Sequence, residues 1–414
     1  MPRALEARMN SKQEFIEYYK GLEAALENQN IRIAIGRSIK AFRGNFSKTM
    51  AKYPHTIKMA EEVRVIKEQS FTQWNNLLKT AMESITENHG TPYFAQTEED
   101  LSKLLKNIVG TKQVIVKAKS LLGEEVDVRK KLEAMGNTVW ETDLGELILQ
   151  LLDEPPMHIL SPAIHIPREK VAEVFSKAMG KKINPDITEE VEAARQFLRQ
   201  KFMDADVGLS SANVVAADTG ALLIIENEGN ARLTTGFPRK HVVIVGIEKL
   251  VPTLGDAFKV AEVTWRYAQY GVPAYVNMIT GPSKTGDIEK VTTYGAHGPK
   301  ELHVIFYDGG RKTMMEHPVY REAAYCLRCG GCMYECPVYA LVAGHFGYRY
   351  FIGYGSIWTN FVCGGPEKAA PIAYTCLRCG RCVEQCPVKI NTPSLVSELR
   401  KDLVKNRPTQ WSSK

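Results

Sequence analysis

Apolar residues recur every three or four positions from about Ser11 to Glu87, as in Phe15, Tyr18, Tyr19, Leu22 and Leu26. That period predicts amphipathic helices. The stretch from Arg64 to Ser70, then Trp74, Leu77 and Leu78, continues it, with little punctuation beyond Gly44 and Pro54. From Gly90 the rhythm changes to short β-rich runs between amphipathic stretches. Gln113–Lys117 reads as a strand before a helix at Glu125–Met135. Thr138–Trp140 precedes a helix at Leu144–Leu152, and His158–Leu160 precedes one at Arg168–Met179. Such alternation predicts a parallel sheet with helices on both faces. After a helix at Glu189–Phe202, a second α/β half is expected, with strands at Ala221–Ile225, His241–Val245, Ala274–Asn277 and Glu301–Phe306. Asp308-Gly-Gly-Arg311 is a turn, and a helical link from His317 to Ala324 leads into the C-terminal region. The fold class is α/β in three parts: a helical N-terminal region over 1–89, an α/β domain over 90–312 and a C-terminal helical domain over 313–414.

All nine cysteines of the 414 residues lie between Cys326 and Cys386. Eight form two copies of one pattern: Cys326, Cys329, Cys332 and Cys336 before Pro337, and Cys376, Cys379, Cys382 and Cys386 before Pro387. This is the C-x2-C-x2-C-x3-C-P run of bacterial iron–sulfur ligation, in which the fourth cysteine of each run binds the other cluster. Two [4Fe–4S] clusters are therefore expected. Cys326, Cys329, Cys332 and Cys386 would hold the first, and Cys376, Cys379, Cys382 and Cys336 the second. Gly330, Gly331 and Gly380 suit a loop that brings backbone N–H groups up to sulfur. Structural zinc uses two separated pairs, a poorer match. A disulfide framework belongs to small secreted chains. Cys363 is left over and reads as a small buried thiol. The spacer, Val338 to Thr375, is rich in aromatics from Tyr339 to Phe361 and resembles the α-helical ferredoxin modules of succinate-dehydrogenase-type and heterodisulfide-reductase-type subunits. Its aromatics read first as core, and second as a docking surface for a partner or a quinone.

Composition narrows the rest. The net charge of +6 is mild and is not the clustered basic footprint of a nucleic-acid binder. Arg32, Arg37, Lys40, Arg43, Lys48 and Lys52 run without an intervening acid, which reads as a solvated helix face. No run of eighteen apolar residues is present, so no membrane span is expected. The first ten residues lack the apolar core of a signal peptide. Iron–sulfur clusters and the absence of disulfide logic both fit a reducing cytoplasm.

Neither a GxGxxG nor a GxxxxGK[ST] motif is found, so no dinucleotide or P-loop signature accompanies the α/β domain. Three polar clusters stand out instead. Lys117 and Lys119 end the first clear strand. Asp218-Thr219-Gly220 precedes another. Gly281-Pro-Ser283-Lys284-Thr285-Gly-Asp287 follows a third, with His297 in a glycine-framed loop beyond it. Ligands of open α/β sheets bind at strand carboxyl ends, so these groups together are candidates for one anionic-ligand site. Each alone is also ordinary turn chemistry.

The runs from Trp140 to Glu146, Pro156 to His165, Ala217 to Gly220, Gly281 to Glu289 and Gly295 to Pro299 resemble the LUD domain. Followed by the two cysteine runs, they resemble the lactate-utilisation protein B family over about Gly90 to Cys386. The resemblance implies a fold like that of sugar-phosphate isomerases and CoA transferases. It implies L-lactate oxidation to pyruvate as the system served, and as partners a second cysteine-rich iron–sulfur protein and a separate LUD protein. Lys284 and Gly286 stand where Arg and Ala are expected, and family members commonly continue well beyond the second cysteine run, whereas this chain ends at Lys414.

Oxidising a 2-hydroxy acid releases two electrons as a hydride equivalent, which a cubane does not accept directly; a cofactor must carry that step. The leading expectation is an iron–sulfur electron-transfer subunit of a lactate-oxidising complex rather than a complete enzyme. A second makes the LUD domain the active site, with His297 or His158 as general base and Lys119 and Lys284 on the carboxylate. A third makes it a docking module for an unrelated oxidoreductase.

Overall fold

The computed structural model describes residues 2–405, with side chains from residue 12 onward. The signal-peptide reading of the first ten residues concerns side chains outside this range, as does the tail beyond Lys405. The helical N-terminal region resolves into α1 (Pro2–Glu27), α2 (Gln29–Lys52), α3 (His55–Thr72) and α4 (Trp74–Glu87). Asn28 breaks the first pair, its side chain accepting from the Asn30 and Ile31 N–H groups, the ordinary work of an N-cap. The basic face of α2 is exposed, as its spacing predicts, except that Arg43 reaches Glu335 at 2.8 Å. Arg64 of α3 donates to the Val388 carbonyl at 2.6 Å. These helices therefore brace the cysteine-rich region as well as the α/β domain.

Strands follow at β1 (Thr91–Ala95), β2 (Val114–Lys117), β3 (Thr138–Glu141), β4 (Val207–Ser210), β5 (Val214–Ala216), β6 (Leu222–Glu226), β7 (Lys240–Gly246), β8 (Leu250–Val251), β9 (Tyr275–Ile279), β10 (Lys284–Thr285), β11 (Thr293–Tyr294) and β12 (Glu301–Tyr307). Six form a sheet in the order β1-β12-β7-β4-β2-β3, every pair parallel. Its central strands are near-continuous apolar runs, as burial on both faces requires. Val242, Val243 and Val245 of β7 and Val304, Ile305 and Phe306 of β12 are fully buried.

The expected second α/β half is not a unit. β7 and β12 join the same sheet as β2 and β3, whereas β6 and β9 pair antiparallel in a separate sheet of order β8-β5-β6-β9. The helices Leu144–Leu152 and Arg168–Met179 fall where the periodicity puts them. The helix at Glu125–Met135 does not. A short helix, Leu121–Glu125, ends before Asp127 at φ 48°, and a second runs over Val128–Ala134.

The strand at His158–Leu160 is absent. Two prolines, Pro155 and Pro156, remove ladder donors just before it. His158 folds the segment into a turn, its Nδ1 accepting from the Leu160 and Ser161 N–H groups at 3.0 and 3.1 Å. No described helix is long and apolar enough to cross a membrane.

Candidate functional site

The two cysteine runs fold as near copies. Arg328 and Arg378 take φ of 64° and 55°, and Gly330 and Gly380 take 77° and 84°. These left-handed positions turn each loop so that its backbone points at sulfur. The Arg328 N–H donates to Cys326 Sγ and the Arg378 N–H to Cys376 Sγ, both at 3.4 Å. The Ile390 N–H donates to Cys386 Sγ at 3.5 Å.

Two thiol-walled cavities result. Cys326, Cys329, Cys332 and Cys386 line the first, with Leu121, Ile159, Phe351 and Val388 among its apolar walls. Cys336, Cys376, Cys379 and Cys382 line the second. Cys382 also reaches the first, so the cavities adjoin through its side chain. Among the described residues no three His, Cys, Asp or Glu side chains converge on a single-ion site; the thiols surround voids instead. Burial pushes Cys386 up to about 11 and Cys336 up to about 12. Thiols so placed are poor free thiolates, and iron, which takes them deprotonated, removes that penalty. The donor set, the N–H groups aimed at sulfur and the apolar walls thus fit a pair of iron–sulfur clusters.

The cavities differ in exposure. Cys329 is buried in the first, whereas Cys379 is exposed in the second and Leu377 beside it is 66% exposed. Cys363 lines neither; burial raises its thiol. The spacer aromatics are mostly core: Tyr339, Phe346, Tyr350 and Trp358 are almost fully buried, and Tyr348 is exposed.

Behind the first thiol cavity lies a larger polar one of about 280 Å³. It opens at the carboxyl ends of the parallel strands. Lys119 and Ser120 follow β2, Asp143 follows β3, Ser211 follows β4, Glu248 and Lys249 follow β7, and Arg311 follows β12. Arg328, Cys329 and Tyr350 close it from the cysteine-rich side, so one wall serves both cavities.

A buried ion network ties that wall together. Arg311 donates to Glu125 at 2.9 and 2.7 Å and to Glu248 at 2.8 Å. Glu248 also lies 3.8 Å from Arg328, and the Tyr350 hydroxyl donates to Glu125. Burial raises the Glu248 carboxyl, but Arg311, Lys249, Arg328 and Lys67 outweigh it and hold the group at about 2. Burial first, then Arg328, draws the Lys249 ammonium down to about 8.

The sequence candidates in the α/β domain scatter. Lys117 is buried in ion pairs with Glu141 at 2.9 Å and Glu124 at 3.2 Å, which hold it charged against the pull of burial. Asp218, Thr219 and Gly220 seat α4: Ser84 donates to the Ala217 and Asp218 carbonyls, Asn88 to that of Thr219, and a side chain at Gly220 would meet the Ile85 backbone at 2.9 Å. Gly281, Ser283 and His297 line an open groove elsewhere. Lys284 and Thr285 form the short strand β10, paired with β11, and Asp287 accepts from the Thr285 hydroxyl. One anionic-ligand site made from all of these does not exist; only Lys119 reaches the cavity beside the cysteines.

His158 is no general base. It is fully buried, stacks on Tyr334 at 4.5 Å, and is pushed down to about 3 by burial. The residues that sequence reasoning missed are Glu125, Glu248, Lys249 and Arg311. Only Arg311 carries a signal, at the edge of the Asp-Gly-Gly-Arg turn, where turn chemistry alone accounts for the residues.

Comparison with known proteins agrees with this anatomy. A LUD domain family model matches residues 78–307, and a 4Fe-4S dicluster domain model matches residues 322–390. "Lactate utilization protein B" of Shouchella clausii (strain KSM-K16) is 35% identical over 82% of this chain and 68% of its own. The protein of that name from Bacillus licheniformis is 32% identical over 92% of this chain and 78% of its own. An "Uncharacterized electron transport protein YkgF" of Escherichia coli (strain K12) is 30% identical over 84% and 71%.

Proposed function

This chain belongs to the lactate utilization protein B family, a LUD domain joined to a 4Fe-4S dicluster domain, and from that premise we propose that it is the electron-transfer subunit of an L-lactate (2-hydroxy acid) oxidising system. Cys326, Cys329, Cys332 and Cys386 hold one [4Fe–4S] cluster, and Cys376, Cys379, Cys382 and Cys336 hold the other. Bound there, each cluster supplies a one-electron carrier.

The observation that carries this reading is the graded exposure of two adjoining thiol cavities. Cys329 keeps the first enclosed against the polar cavity, while Cys379 and Leu377 bring the second to the surface. The apolar walls exclude water, and the N–H groups of Arg328, Arg378 and Ile390 steady the sulfurs. Arg378, Arg381 and Lys389 are exposed around the outer loop and give the hand-off face a positive rim. The partners are a second cysteine-rich iron–sulfur protein and a separate LUD protein. The acceptor of the hydride equivalent lies with a cofactor outside this chain's visible motifs.

The test is anaerobic purification followed by iron analysis and EPR. About eight irons are expected, falling by about half in Cys326→Ser and again in Cys376→Ser, and unchanged in Cys363→Ser. Dithionite should reduce the chain and lactate alone should not. Reduction by lactate alone would move the chemistry into this chain.

A further inference from the structure

We infer that Arg328 and Lys67 are positioning residues that raise the reduction potential of the first cluster, and that Arg378, the sequence copy of Arg328, has no comparable effect on the second. The inference rests on the assignment of the cysteines to two clusters. Cys326-Leu-Arg-Cys329 and Cys376-Leu-Arg-Cys379 are identical in sequence, and their backbones match in φ and in the N–H groups aimed at sulfur. The surroundings of the two arginines do not match. The Arg328 guanidinium lies over the Trp358 ring at 3.8 Å and the Tyr350 ring at 4.8 Å. Its side chain is 12% exposed and lines the first thiol cavity. Glu248 lies 3.8 Å away but is shared with Arg311 at 2.8 Å, so it does not neutralise Arg328 alone. Arg378 is exposed and donates to the Ser397 hydroxyl at 2.9 Å. The fold covers one loop and leaves the other open: a side chain at Gly330 would press on Leu160 and His158, whereas one at Gly380 would meet nothing within 4 Å.

Lys67 brings a second cation from outside the cysteine-rich region. On α3 it stands between Arg64 and Phe71 at helical spacing, so the three share a face. Arg64 and Phe71 pack on Tyr325, the residue before Cys326, at 5.5 and 5.3 Å. Arg64 also donates to the carbonyl of Val388, just beyond Cys386. Lys67 is 3% exposed and donates to the Glu248 carbonyl. Burial first, then Lys249, draws its ammonium down to about 7, while Glu248 and Cys326 act to keep it charged. A cluster gains one negative charge with each electron, and burial disfavours that gain. Fixed positive charge beside it offsets the cost. One electron enters, and Arg328, charged throughout, neither takes nor gives a proton. A unit charge about 12 Å away changes an equilibrium about ten-fold at an effective dielectric of about 20, but less than about two-fold in water. Arg328, in the cavity wall, falls under the first figure, and Arg378, in solvent, under the second.

The test is an EPR-monitored redox titration of the cluster-loaded full chain, with the potential set at an electrode. It is run at about pH 6, below the about 7 of Lys67 and the about 8 of Lys249, so that both keep their charge when Arg328 is removed. In Arg328→Gln one midpoint should fall by at least about ten-fold in the reduced-to-oxidised ratio, about 59 mV for one electron, while the other stays in place. Lys67→Met should lower that same midpoint by at least about three-fold, and Arg328→Lys should hold it near the wild-type value. Arg378→Gln should shift either midpoint by less than about two-fold. Every variant keeps the backbone N–H groups on sulfur, so the change read is one of charge. A smaller fall in a fully loaded Arg328→Gln chain overturns the inference, and so does a shift of more than about two-fold in Arg378→Gln. Where Arg328→Gln loses a cluster, Lys67→Met decides, and an unmoved midpoint there overturns it as well. Iron content on the same samples separates the two readings. A wild-type chain that cannot be loaded with about eight irons sinks the cluster assignment, whereas full iron with unmoved midpoints sinks this inference alone.

Discussion

Replacing Arg311 with Met should be among the most damaging single changes in the α/β domain. Arg311 is 0% exposed and spends all three guanidinium nitrogens on Glu125 and Glu248, which are themselves buried. Methionine fills much of the stem's volume, so the loss is electrostatic rather than a cavity. It leaves two buried carboxylates without the guanidinium that bonds them both, and breaking a buried pair by removing one partner costs about 3–5 kcal/mol. Glu248 gives an independent figure. Its carboxyl is held at about 2 against an ordinary 4.5, which corresponds to about 3 kcal/mol. A carboxyl held low stabilises the fold fully above pH 4.5, and that stability drains as the pH falls towards 2; at neutral pH the variant loses the share owed to Arg311, the first of the four cations that hold Glu248, while Lys249, Arg328 and Lys67 keep theirs. At about 2–4 °C per kcal/mol for a domain of this size, the apparent melting temperature should fall by roughly 6–20 °C. Scans at one fixed rate, following near-ultraviolet circular dichroism, would measure it. Adding Glu248→Gln removes one stranded charge and should recover several degrees. A fall of less than about 2 °C, or a double variant no better than the single, would refute the reasoning.

Three further outcomes are expected. Gly353→Ala puts a methyl group into the Cys376 sulfur and its Cβ, so it should lose the second cluster and keep the first, seen as about half the iron with one EPR signal retained; a full iron complement would count against it. His241 is fully buried, bonded to Ser210 at 2.8 Å and pushed down to about 3 by burial and then His303. The unfolded chain takes up that proton near pH 6.5, so the wild type should lose about 2 kcal/mol from this residue between pH 6.5 and 5; His241→Asn should show a shallower fall in melting temperature over that range, and parallel profiles would exclude the effect. Leu377→Glu, at a side chain 66% exposed beside the second thiol cavity, should slow electron delivery to the partner iron–sulfur protein with iron content and dithionite reduction unchanged; an unaltered rate would place the exit elsewhere.

How much was legible in the sequence follows from where the determinants lie along the chain. The cysteine runs were legible because a cluster loop is local: Cys326 to Pro337 carries its own spacing, glycines and proline. The helices Leu144–Leu152 and Arg168–Met179 were legible for the same reason, as a period of 3.6 is written within one element. The strand β4 was not. It has four residues, one of them Gly208, chosen because the Thr234 backbone packs against it, and its apolar pattern is too short to register. His158 misled because His-Ile-Leu has strand composition while Pro155 and Pro156 and the imidazole turn it into a loop. The Asp-Thr-Gly run looked chemical because turns and ligand loops draw on the same residues; only the seating of α4 on it distinguishes the two.

The polar cavity was the least legible part, and the reason is physical. Its charged wall is assembled from Glu125, Glu248, Arg311 and Arg328, four residues from four separate segments with ordinary neighbours in sequence. No spacing rule links them; they meet because β2, β7 and β12 run parallel and end on the same edge. A buried ion network of this kind is weak as a source of stability relative to apolar packing, and its use here is positional. Arg311 comes after the last strand of the sheet, Arg328 from inside the first cysteine loop, and Glu248 lies against both. The network therefore ties the first cysteine loop to the carboxyl edge of the sheet. That registry makes a single wall common to the polar cavity and to Cys329.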